Sequence, residues 1–205
     1  MRIIALCLFA SVAVAQVAPG GKAGDTEVVS KIAAPTTPRP PTVFQDGQKL
    51  APMARATIFV RDIEASLKLY RDILGLKPMF DNHWKGKGIN MIMGTDGKEL
   101  RATVLMAGDS VQGNLGIYQL YNEKGTPPPA PKGTDTRIGD VAVVFPTNDI
   151  WNLTKKIQDA GYEMISPPVS LIERPEYQVQ PVEMMFRDPD GVLVNLVQAG
   201  VLKTK

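Results

Sequence analysis

Apolar and polar positions between residues 53 and 200 follow one pattern of secondary structure, and that pattern occurs twice. In the first copy, the β-branched and apolar stretch ATIFV (56–60) predicts a strand. We expect the Asp62 carboxylate to cap a following helix, and Gly75 to end that helix in a left-handed conformation. The apolar face of this helix recurs at helical spacing and consists of Ile63, Leu67, Tyr70 and Leu74.

The second copy begins with the apolar stretch DVAVVF (140–145), which predicts another strand. Asp149 is the expected cap of its helix and Gly161 the expected end. The apolar face of this second helix consists of Ile150, Leu153, Ile157 and Ala160. Three strand-like stretches follow each helix, at 77–82, 89–94 with 99–107, and 114–121 in the first copy, and at 162–172, 177–187 and 192–198 in the second.

A proline-rich segment, GTPPPAPKGTDT (125–136), separates the two copies. Proline removes backbone donors from helices and sheets, so this segment is expected to be a linker. The sequence therefore predicts an α+β protein with an internal duplication, in which βαβββ modules occupy 53–124 and 137–200. Neither module buries much apolar surface alone, and we expect the two to pack as a pair.

The N-terminal residues do not share this pattern. Residues 1–15 combine a basic start at Arg2, an apolar run and the small residues Ala13-Val14-Ala15, which is typical of a secretory signal peptide. Residues 16–50 are rich in proline and glycine and poor in large apolar side chains, so they are expected to form a disordered linker. We expect an exported protein, periplasmic or secreted, with no stable membrane anchor once the signal is cleaved.

Composition and charge exclude one class of partner and one kind of covalent chemistry. With 44% hydrophobic and 21% charged residues, the chain is typical of a globular protein. A formal charge of +2 and the lack of a basic stripe interleaved with aromatic residues argue against nucleic acid as a partner. Cys7 is the only cysteine and lies within the predicted signal, so no thiol or disulfide remains in the mature chain.

Three stretches resemble the vicinal oxygen chelate superfamily, which includes glyoxalase I, extradiol dioxygenases and bleomycin-resistance proteins. They are FVRDIEASLKLYRDILGLKP (59–78), DIWNLTKKIQDAGYEMISPPV (149–169) and FRDPDGVLVNLVQ (186–198). The resemblance implies that the two modules pair into a curved, largely antiparallel sheet around a cup that holds a small molecule. Pairing within one chain and pairing across a homodimer both stay open.

The resemblance also implies where a metal would be bound. Metal-using members place ligands at the start of the first strand and in the last strand of each module, which here correspond to Arg55, Gly116, Asp140 and Asn195. Arginine has no lone pair to donate, and glycine has no side chain. This set predicts no metal cofactor, beyond a weakly held hard divalent cation. His83 is the only histidine, and we expect it to lie in a loop or at a rim.

The residues that remain suggest a site that works by charge and hydrogen bonding. Strand alternation places Arg55, Thr57 and Phe59 on one face, and the same parity places Tyr118 beside Gly116. We expect Thr57, Phe59 and Asn195 to contact the ligand.

Four residues are candidate catalytic groups. Arg55 can bind a carboxylate or stabilise an oxyanion, Asp140 or Glu183 can act as a base, and Tyr118 can donate a proton or stack. Purely structural roles are equally open: an Arg55–Asp140 ion pair, a wall position for Tyr118 and a solvent-facing Glu183.

Three functions fit these residues. The first is a metal-independent lyase or isomerase that acts on an oxygenated small molecule. The second is a non-catalytic protein that binds or sequesters such a molecule. The third is a metalloenzyme with non-standard ligands such as Asp140, Glu183 and Asn195.

Overall fold

The computed structural model describes residues 26–30, 46–50, 52–86, 90, 99–110, 112–121, 135–170 and 173–203, with only the backbone at 26–30. The chain forms two compact units. The first comprises residues 1–63 and 75–126, and the second comprises residues 64–74 and 127–205. The predicted signal peptide (1–15) lies outside the described residues, as does most of the predicted linker at 125–136.

The first unit contains a five-stranded sheet in the order β1-β3-β4-β5-β2. Its strands are β1 (Thr26–Ser30), β2 (Arg55–Phe59), β3 (Lys77–Gly86), β4 (Glu99–Met106) and β5 (Asn114–Tyr121). The outer strand β2 runs parallel to β5, and the other neighbours are antiparallel. The predicted disordered linker (16–50) is wrong at residues 26–30, because their backbone pairs with β3 along five residues.

The second unit contains a four-stranded sheet in the order β6-β10-β9-β7 and a two-stranded sheet of β8 and β11. Again the first strand runs parallel to the last strand of the repeat, here β6 beside β10. Its strands are β6 (Ala142–Pro146), β7 (Met164–Val169), β8 (Tyr177–Val179), β9 (Val182–Arg187), β10 (Leu193–Gln198) and β11 (Val201–Leu202).

Apart from Ile63, the residues of both helices belong to this second unit. Helix α1 (Ile63–Leu67) continues as a π-helical segment, Lys68–Ile73, and α2 spans Ile150–Asp159. Residues 64–74, which the sequence assigns to the first module, therefore group with the second unit. Gly75 and Gly161 follow the helices with φ values of 77° and 81°, as predicted. Among the described residues, no helix has both the length and the apolar character needed to cross a bilayer.

The first residue of each helix donates its amide to a glutamine in the last strand of the same copy. Gln119 Oε1 accepts a hydrogen bond of 2.9 Å from the Ile63 amide, and Gln198 Oε1 accepts one of 2.9 Å from the Ile150 amide. The expected side-chain cap from Asp149 is wrong, since its carboxylate accepts instead from the Asn152 side chain at 2.9 Å. Each glutamine thus satisfies a helix amide that would otherwise lack an acceptor.

The predicted helix faces largely form the core. Ile63, Leu67, Tyr70, Ile150 and Ile157 are buried, whereas Ala160 is exposed. Leu69 is also fully buried, although it lies off the predicted stripe. The π-helical turn, in which the Leu74 amide bonds to the Leu69 carbonyl at 2.9 Å, advances the chain by less than 100° per residue and rotates Leu69 inward.

Two predicted strands differ from the observed ones. The stretch 177–187 divides into β8 and β9, because Pro181 has no amide with which to continue a ladder. The stretch 89–94 lies outside the described residues except for Asn90, which is helical.

Candidate functional site

Four of the predicted site residues lie on one face of the first sheet. Along β2 and β5 the register pairs Thr57 with Gly116 and Phe59 with Tyr118, so the side chains of these rungs share a face. The Phe59 and Tyr118 rings meet edge to face, with centroids 5.8 Å apart. The Arg55 guanidinium lies 5.5 Å from the centroid of the Tyr118 ring. The structure therefore brings together Arg55, Thr57, Phe59 and Tyr118, and we call this surface the Arg55 face.

Gly116 provides room on this face for the side chain opposite. A Cβ atom at position 116 would lie 2.8 Å from Thr57 Oγ1, closer than such atoms approach, and a tight 3.3 Å from its Cγ2. The space beside Gly116, the residue predicted at a metal-ligand position, is thus filled by the Thr57 side chain.

Aromatic and small side chains extend the Arg55 face across β4 and β3. Buried Leu100 and Ala102 pack beside Tyr118, and half-buried Phe80 and Trp84 cover them. The Phe80 and Trp84 rings make a second edge-to-face pair at 5.8 Å. The centre of this face is therefore a packed apolar cluster, and the exposed side chains of Arg55 and Phe59 lie beside it.

Charge on this face comes from Arg55, and a proton donor comes from Tyr118. Arg55 is exposed, so a ligand anion can reach it, while only 8% of Tyr118 is exposed. Burial raises the pKa of the Tyr118 phenol, and the nearby Arg55 charge offsets part of that rise. Tyr118 therefore remains a neutral hydrogen-bond donor at neutral pH, and its ring attracts the guanidinium as a cation–π partner.

Two further predicted residues meet on the second sheet. Asn195 is buried on β10, and its Nδ2 donates to the Met184 carbonyl at 3.0 Å and to Glu183 Oε2 at 3.4 Å. Glu183 is half-buried and not simply solvent-facing. The pair places an acid and an amide at neighbouring positions of this sheet.

Asp140 has a different position and a different partner from those expected. It precedes β6 instead of lying in it, and its carboxylate accepts from the Arg137 amide at 3.0 Å and from Arg187 Nη2 at 3.3 Å. The Arg137 hydrogen bond, with help from Arg187, lowers the pKa of Asp140. Arg187 replaces Arg55 as the ion-pair partner. A carboxylate held in this way is a weak base and a structural anchor.

The register also corrects the assignment of Asp140 to a metal-ligand position. Thr57 pairs with Gly116 in the first sheet, and Val144 pairs with Asn195 in the second. Because Gln119 and Gln198 cap the helices from equivalent places, the residue that corresponds to Arg55 is Ala142.

The residues at these four positions do not fit a metal. They are a guanidinium, a glycine, an alanine methyl and one neutral amide at Asn195, which together offer a single oxygen donor. Asp140 and Glu183 are engaged by Arg187 and Asn195, respectively. Within the described ranges, no group of three or more histidine, cysteine, aspartate or glutamate side chains is arranged to hold a metal ion.

Sequence reasoning missed a polar cluster on the opposite face of the first sheet. His83 lies in β3 and not in a loop, with its Nε2 2.8 Å from Glu99 Oε2 and its ring 5.4 Å from that of Tyr121. Beside it, Arg101 and Asp81 form a bidentate ion pair at 2.9 and 2.6 Å, with each side chain only 10% exposed. Alternation of polar and apolar residues along ELRATV (99–104) was the available signal.

A second missed interaction joins the π-helical segment Lys68–Ile73 to the turn RDPDG (187–191). The Tyr70 hydroxyl donates to Asp188 Oδ2 at 2.8 Å, while Asp188 Oδ1 accepts from the Asp190 and Val192 amides. Burial raises the pKa of Asp188, and burial and the nearby carboxylate raise the pKa of Tyr70. The predicted turn is therefore also a buried anchor for the helix.

Two similar solved structures are reported, and the first of them supports the same fold. A glyoxalase family protein from Bacillus cereus is 13% identical, with a TM-score of 0.62 over 77% of this chain and 99% of that one. A superfamily member from Sphaerobacter thermophilus is 23% identical, with a TM-score of 0.45 over 74% of this chain and 99% of its own. No curated protein matches the sequence.

The comparison with protein families covers both copies of the repeat. The model of the Glyoxalase/Bleomycin resistance protein/Dioxygenase superfamily matches residues 53–196, which is most of the chain. This match agrees with the duplicated arrangement of strands, helices and capping glutamines described above. The chain therefore belongs to the glyoxalase/bleomycin resistance protein/dioxygenase superfamily.

Proposed function

We propose that this protein is an exported, glyoxalase-like, metal-independent lyase or isomerase that acts on an oxygenated small molecule bound at the Arg55 face. The observation that carries this proposal is the exposed Arg55 guanidinium, which lies 5.5 Å from the Tyr118 ring above an aromatic surface. A guanidinium beside a neutral phenol can bind a carboxylate or an enolate oxygen through charge-assisted hydrogen bonds. Arginine can thus replace the charge that a metal supplies in other members of the family.

The proposed reaction begins with removal of a proton from the carbon next to a carbonyl group. The C–H electron pair moves to form a C=C bond, and the carbonyl electrons move to oxygen, where Arg55 stabilises the enolate. If the proton-donating carbon also carries a hydroxyl, the hydroxyl proton moves to the enolate oxygen, the hydroxyl-bearing carbon becomes the new carbonyl, and a proton returns to the former carbonyl carbon, which completes an isomerisation. Loss of a leaving group from the β carbon, with its bonding pair, completes a lyase reaction and re-forms the carbonyl.

Glu183 is the better of the two candidate bases. Asp140 is held by Arg137 and Arg187, and its pKa is lowered, which weakens it as a proton acceptor. Among the residues that the structure describes, Glu183 accepts one long hydrogen bond of 3.4 Å, from Asn195. Glu183 thus stays the candidate base on the second sheet. On the Arg55 face, Arg55 is proposed to stabilise the oxyanion and Tyr118 to donate a hydrogen bond.

A second candidate function is binding or sequestration without turnover. It is favoured by the composition of the Arg55 face, because none of its described side chains on β2, β3, β4 and β5 is a carboxylate. A face with a cation and aromatic rings but no base can hold an anionic aromatic ligand without converting it.

The two functions are separated by identifying the ligand and following its fate. Protein purified from its native source is analysed by mass spectrometry for bound small molecules, which are then incubated with fresh protein. We expect conversion to a product, with kcat/KM reduced on the order of 10²-fold or more in Arg55→Ala and Glu183→Gln. Arg71→Ala and Glu176→Gln, which remove exposed charges elsewhere, are the matched controls. Tight binding without conversion supports sequestration, and full turnover by Arg55→Ala contradicts the enzyme mechanism.

Export is tested separately by sequencing the N-terminus of the mature protein. Cleavage of the signal after Ala15 predicts a chain that starts at Gln16. A mature chain that retains Met1 and stays inside the cell would contradict this part of the proposal.

A further inference from the structure

We propose that β6 is the surface through which two copies of this chain associate, as an antiparallel pair of edge strands centred on Val144. The partner of this surface is therefore a second copy of the chain. The inference goes beyond the proposed reaction and does not depend on it, because it rests on the outer strand of the second sheet and not on the Arg55 face.

The outer side of β6 presents backbone groups that no strand in the described part of the chain pairs with. β6 lies at one end of the sheet order β6-β10-β9-β7. On its inner side, the Val141 carbonyl accepts a hydrogen bond of 3.3 Å from the Leu193 amide. Successive residues of a strand direct their backbone groups to opposite sides, so Ala142, Val144 and Pro146 direct theirs outward.

The side chains along this edge are apolar and exposed. Val144 is 57% exposed, and Val141, just before the strand, is 65% exposed. Ala142 and Pro146 are exposed as well, and no residue of β6 carries a charge. An uncharged, apolar edge strand is a template for another strand, and proteins usually protect such an edge with a charge, a proline or a bulge.

The other outer strands with described side chains in the two larger sheets have such protection. β2 carries the exposed charge of Arg55. β7 contains Pro167 and Pro168, and its pairing with β9 shifts register twice. In β6 the proline is the last residue, Pro146, which leaves the middle of the strand open. This difference identifies β6 as the edge that suits a partner strand.

A second copy fits this edge in an antiparallel register. With Val144 opposite Val144 of the second copy, the two residues exchange two hydrogen bonds across a two-fold axis. Each Ala142 then lies opposite Pro146 of the second copy, and its amide donates to the proline carbonyl. Because proline has no amide to donate, each outer pair makes one bond, and the two strands together make about four. The absence of charge on β6 means that the axis brings no like charges together.

The same register brings two further exposed apolar side chains toward each other. Ile138 precedes the strand and is fully exposed, and Trp151, in the first turn of α2, is 62% exposed. Antiparallel pairing sets the start of one strand beside the end of the other, so Ile138 approaches Trp151 of the second copy. These side chains and the strand edge expose roughly 600 Å² per copy, and their burial in a pair, roughly 1,200 Å², reaches the lower end of specific interfaces.

Cysteine cross-linking tests the register. Cys7 is the only cysteine, so each variant is combined with Cys7→Ser. Directly opposed Cα atoms in such a pair are about 5.5 Å apart, within the range of a disulfide, so Val144→Cys should form a covalent dimer under mild oxidation. Val169→Cys, at an exposed valine of the opposite edge, is the matched control and should cross-link at least about tenfold more slowly.

A mixture of two variants tests the outer pairs of the same register. Ala142→Cys and Pro146→Cys should each cross-link poorly alone, because neither cysteine then lies opposite another. When the two proteins are mixed, they should form a disulfide-linked heterodimer, which mass spectrometry identifies. Cross-linking of either variant with itself at the rate of the mixture would contradict the register.

Sedimentation velocity measures association without cross-linking. We expect the wild type to form dimers at micromolar concentration. Val144→Lys sets two like charges opposite each other at the axis and should raise the dimer dissociation constant on the order of 10²-fold or more. Val169→Lys should leave that constant unchanged. Since both valines are exposed, both variants should keep the circular dichroism spectrum of the wild type.

Three outcomes would overturn the inference. One is a wild-type chain that stays monomeric throughout the concentration series. Another is a dimer that Val144→Lys leaves intact, which places the interface elsewhere. The third is cross-linking of Val169→Cys as fast as that of Val144→Cys. If Val144→Lys fails to fold, the cysteine variants decide the question, because they add neither charge nor bulk at the edge.

Discussion

The five-stranded and four-stranded sheets share the same strand arrangement in each copy of the repeat but differ in the side chains of one face. In the first sheet this face carries Arg55, Thr57, Phe59 and Tyr118; at the equivalent positions the second carries Ala142, Val144, Pro146 and Val197. Ala102 of the first sheet corresponds to Glu183 of the second, and Gly116 to Asn195. One copy presents a cation and aromatic rings, and the other presents an acid and an amide. The difference shows that duplication preserved the backbone while each copy acquired its own chemistry.

The two sheets also differ on the face opposite the Arg55 face and its equivalent. Arg101 pairs with Gln119 across β4 and β5, whereas Val182 pairs with Gln198 across β9 and β10. Thus the first copy buries the Arg101–Asp81 ion pair at the position where the second copy has the apolar side chain of Val182. The capping glutamines themselves are the same in both.

The largest expected effect comes from breaking the ion pair that only the first copy has. Arg101→Leu leaves Asp81 buried and without its guanidinium, and we expect a loss of about 3–5 kcal/mol in the free energy of unfolding. Urea denaturation followed by circular dichroism measures the change.

Two controls accompany this variant. The double variant Arg101→Leu/Asp81→Leu should recover most of the loss, since it makes the site apolar like Val182. Arg71→Leu, which breaks an exposed pair with Asp72, should cost about 1 kcal/mol or less. A mild effect for Arg101→Leu would show that the first copy tolerates the same apolar interior as the second.

An intermediate effect is expected at Gly116, which corresponds to Asn195 in the second copy. Gly116→Ala places a Cβ 2.8 Å from Thr57 Oγ1, and relief of this overlap should cost about 1–3 kcal/mol in the free energy of unfolding. Thr57→Ala/Gly116→Ala should restore most of it, which urea denaturation measures. Equal stability of the single variant and the wild type would mean that Thr57 moves freely and that the close contact has no cost.

A smaller effect is expected for the capping glutamines, which the two copies share. Gln119→Ala and Gln198→Ala each remove the acceptor of a helix amide, and each should lower the free energy of unfolding by about 1 kcal/mol. Gln→Glu at the same positions keeps the acceptor, and its charge favours the helix N-terminus, so it should cost less. Clearly unequal losses for the two alanine variants would contradict the equivalence of the copies.

The smallest effect concerns Asp140, which has no counterpart in the first copy. Hydrogen bonding to Arg137 and Arg187 lowers the pKa of Asp140 from its ordinary value of 3.8. A carboxyl group with a lowered pKa stabilises the fold above that ordinary value, and the contribution is lost as pH falls through the folded-state pKa. We therefore expect Asp140→Asn to melt below the wild type at pH 7, with the two converging below pH 3.8. A difference in melting temperature that persists unchanged in acid would rule out titration of Asp140 as its cause.

Much of the fold could be predicted because the spacing of apolar residues and the identity of turn residues are local signals. The strand ATIFV, the helical spacing of Ile63, Leu67 and Tyr70, and the two glycines after the helices were all correct. Face assignment along β2 also succeeded, since alternation places Arg55, Thr57 and Phe59 together without knowledge of the partner strand.

Features that depend on distant partners could not be predicted. Gln119 and Gln198 accept from the first amides of the two helices from 56 and 48 residues away, whereas local spacing favoured Asp149 as the cap of the second helix, a prediction that is wrong. Likewise, Asp140 looked like a strand residue until the register identified Ala142 as the match to Arg55. Arg187 carries no local sign that its guanidinium will hold the Asp135 carbonyl and Asp140. Such contacts follow from tertiary structure, which one sequence specifies only through the whole fold.

The glutamine that starts each helix has a consequence for how the protein is made. During synthesis, a helix leaves the ribosome long before the strand that completes its first turn, so it must wait for roughly 50 further residues. Closing so long a loop costs entropy before any bond is gained, and neither copy can finish early. Shortening the chain before Gln198 would therefore leave the second helix without its first acceptor, even though every residue of that helix is present.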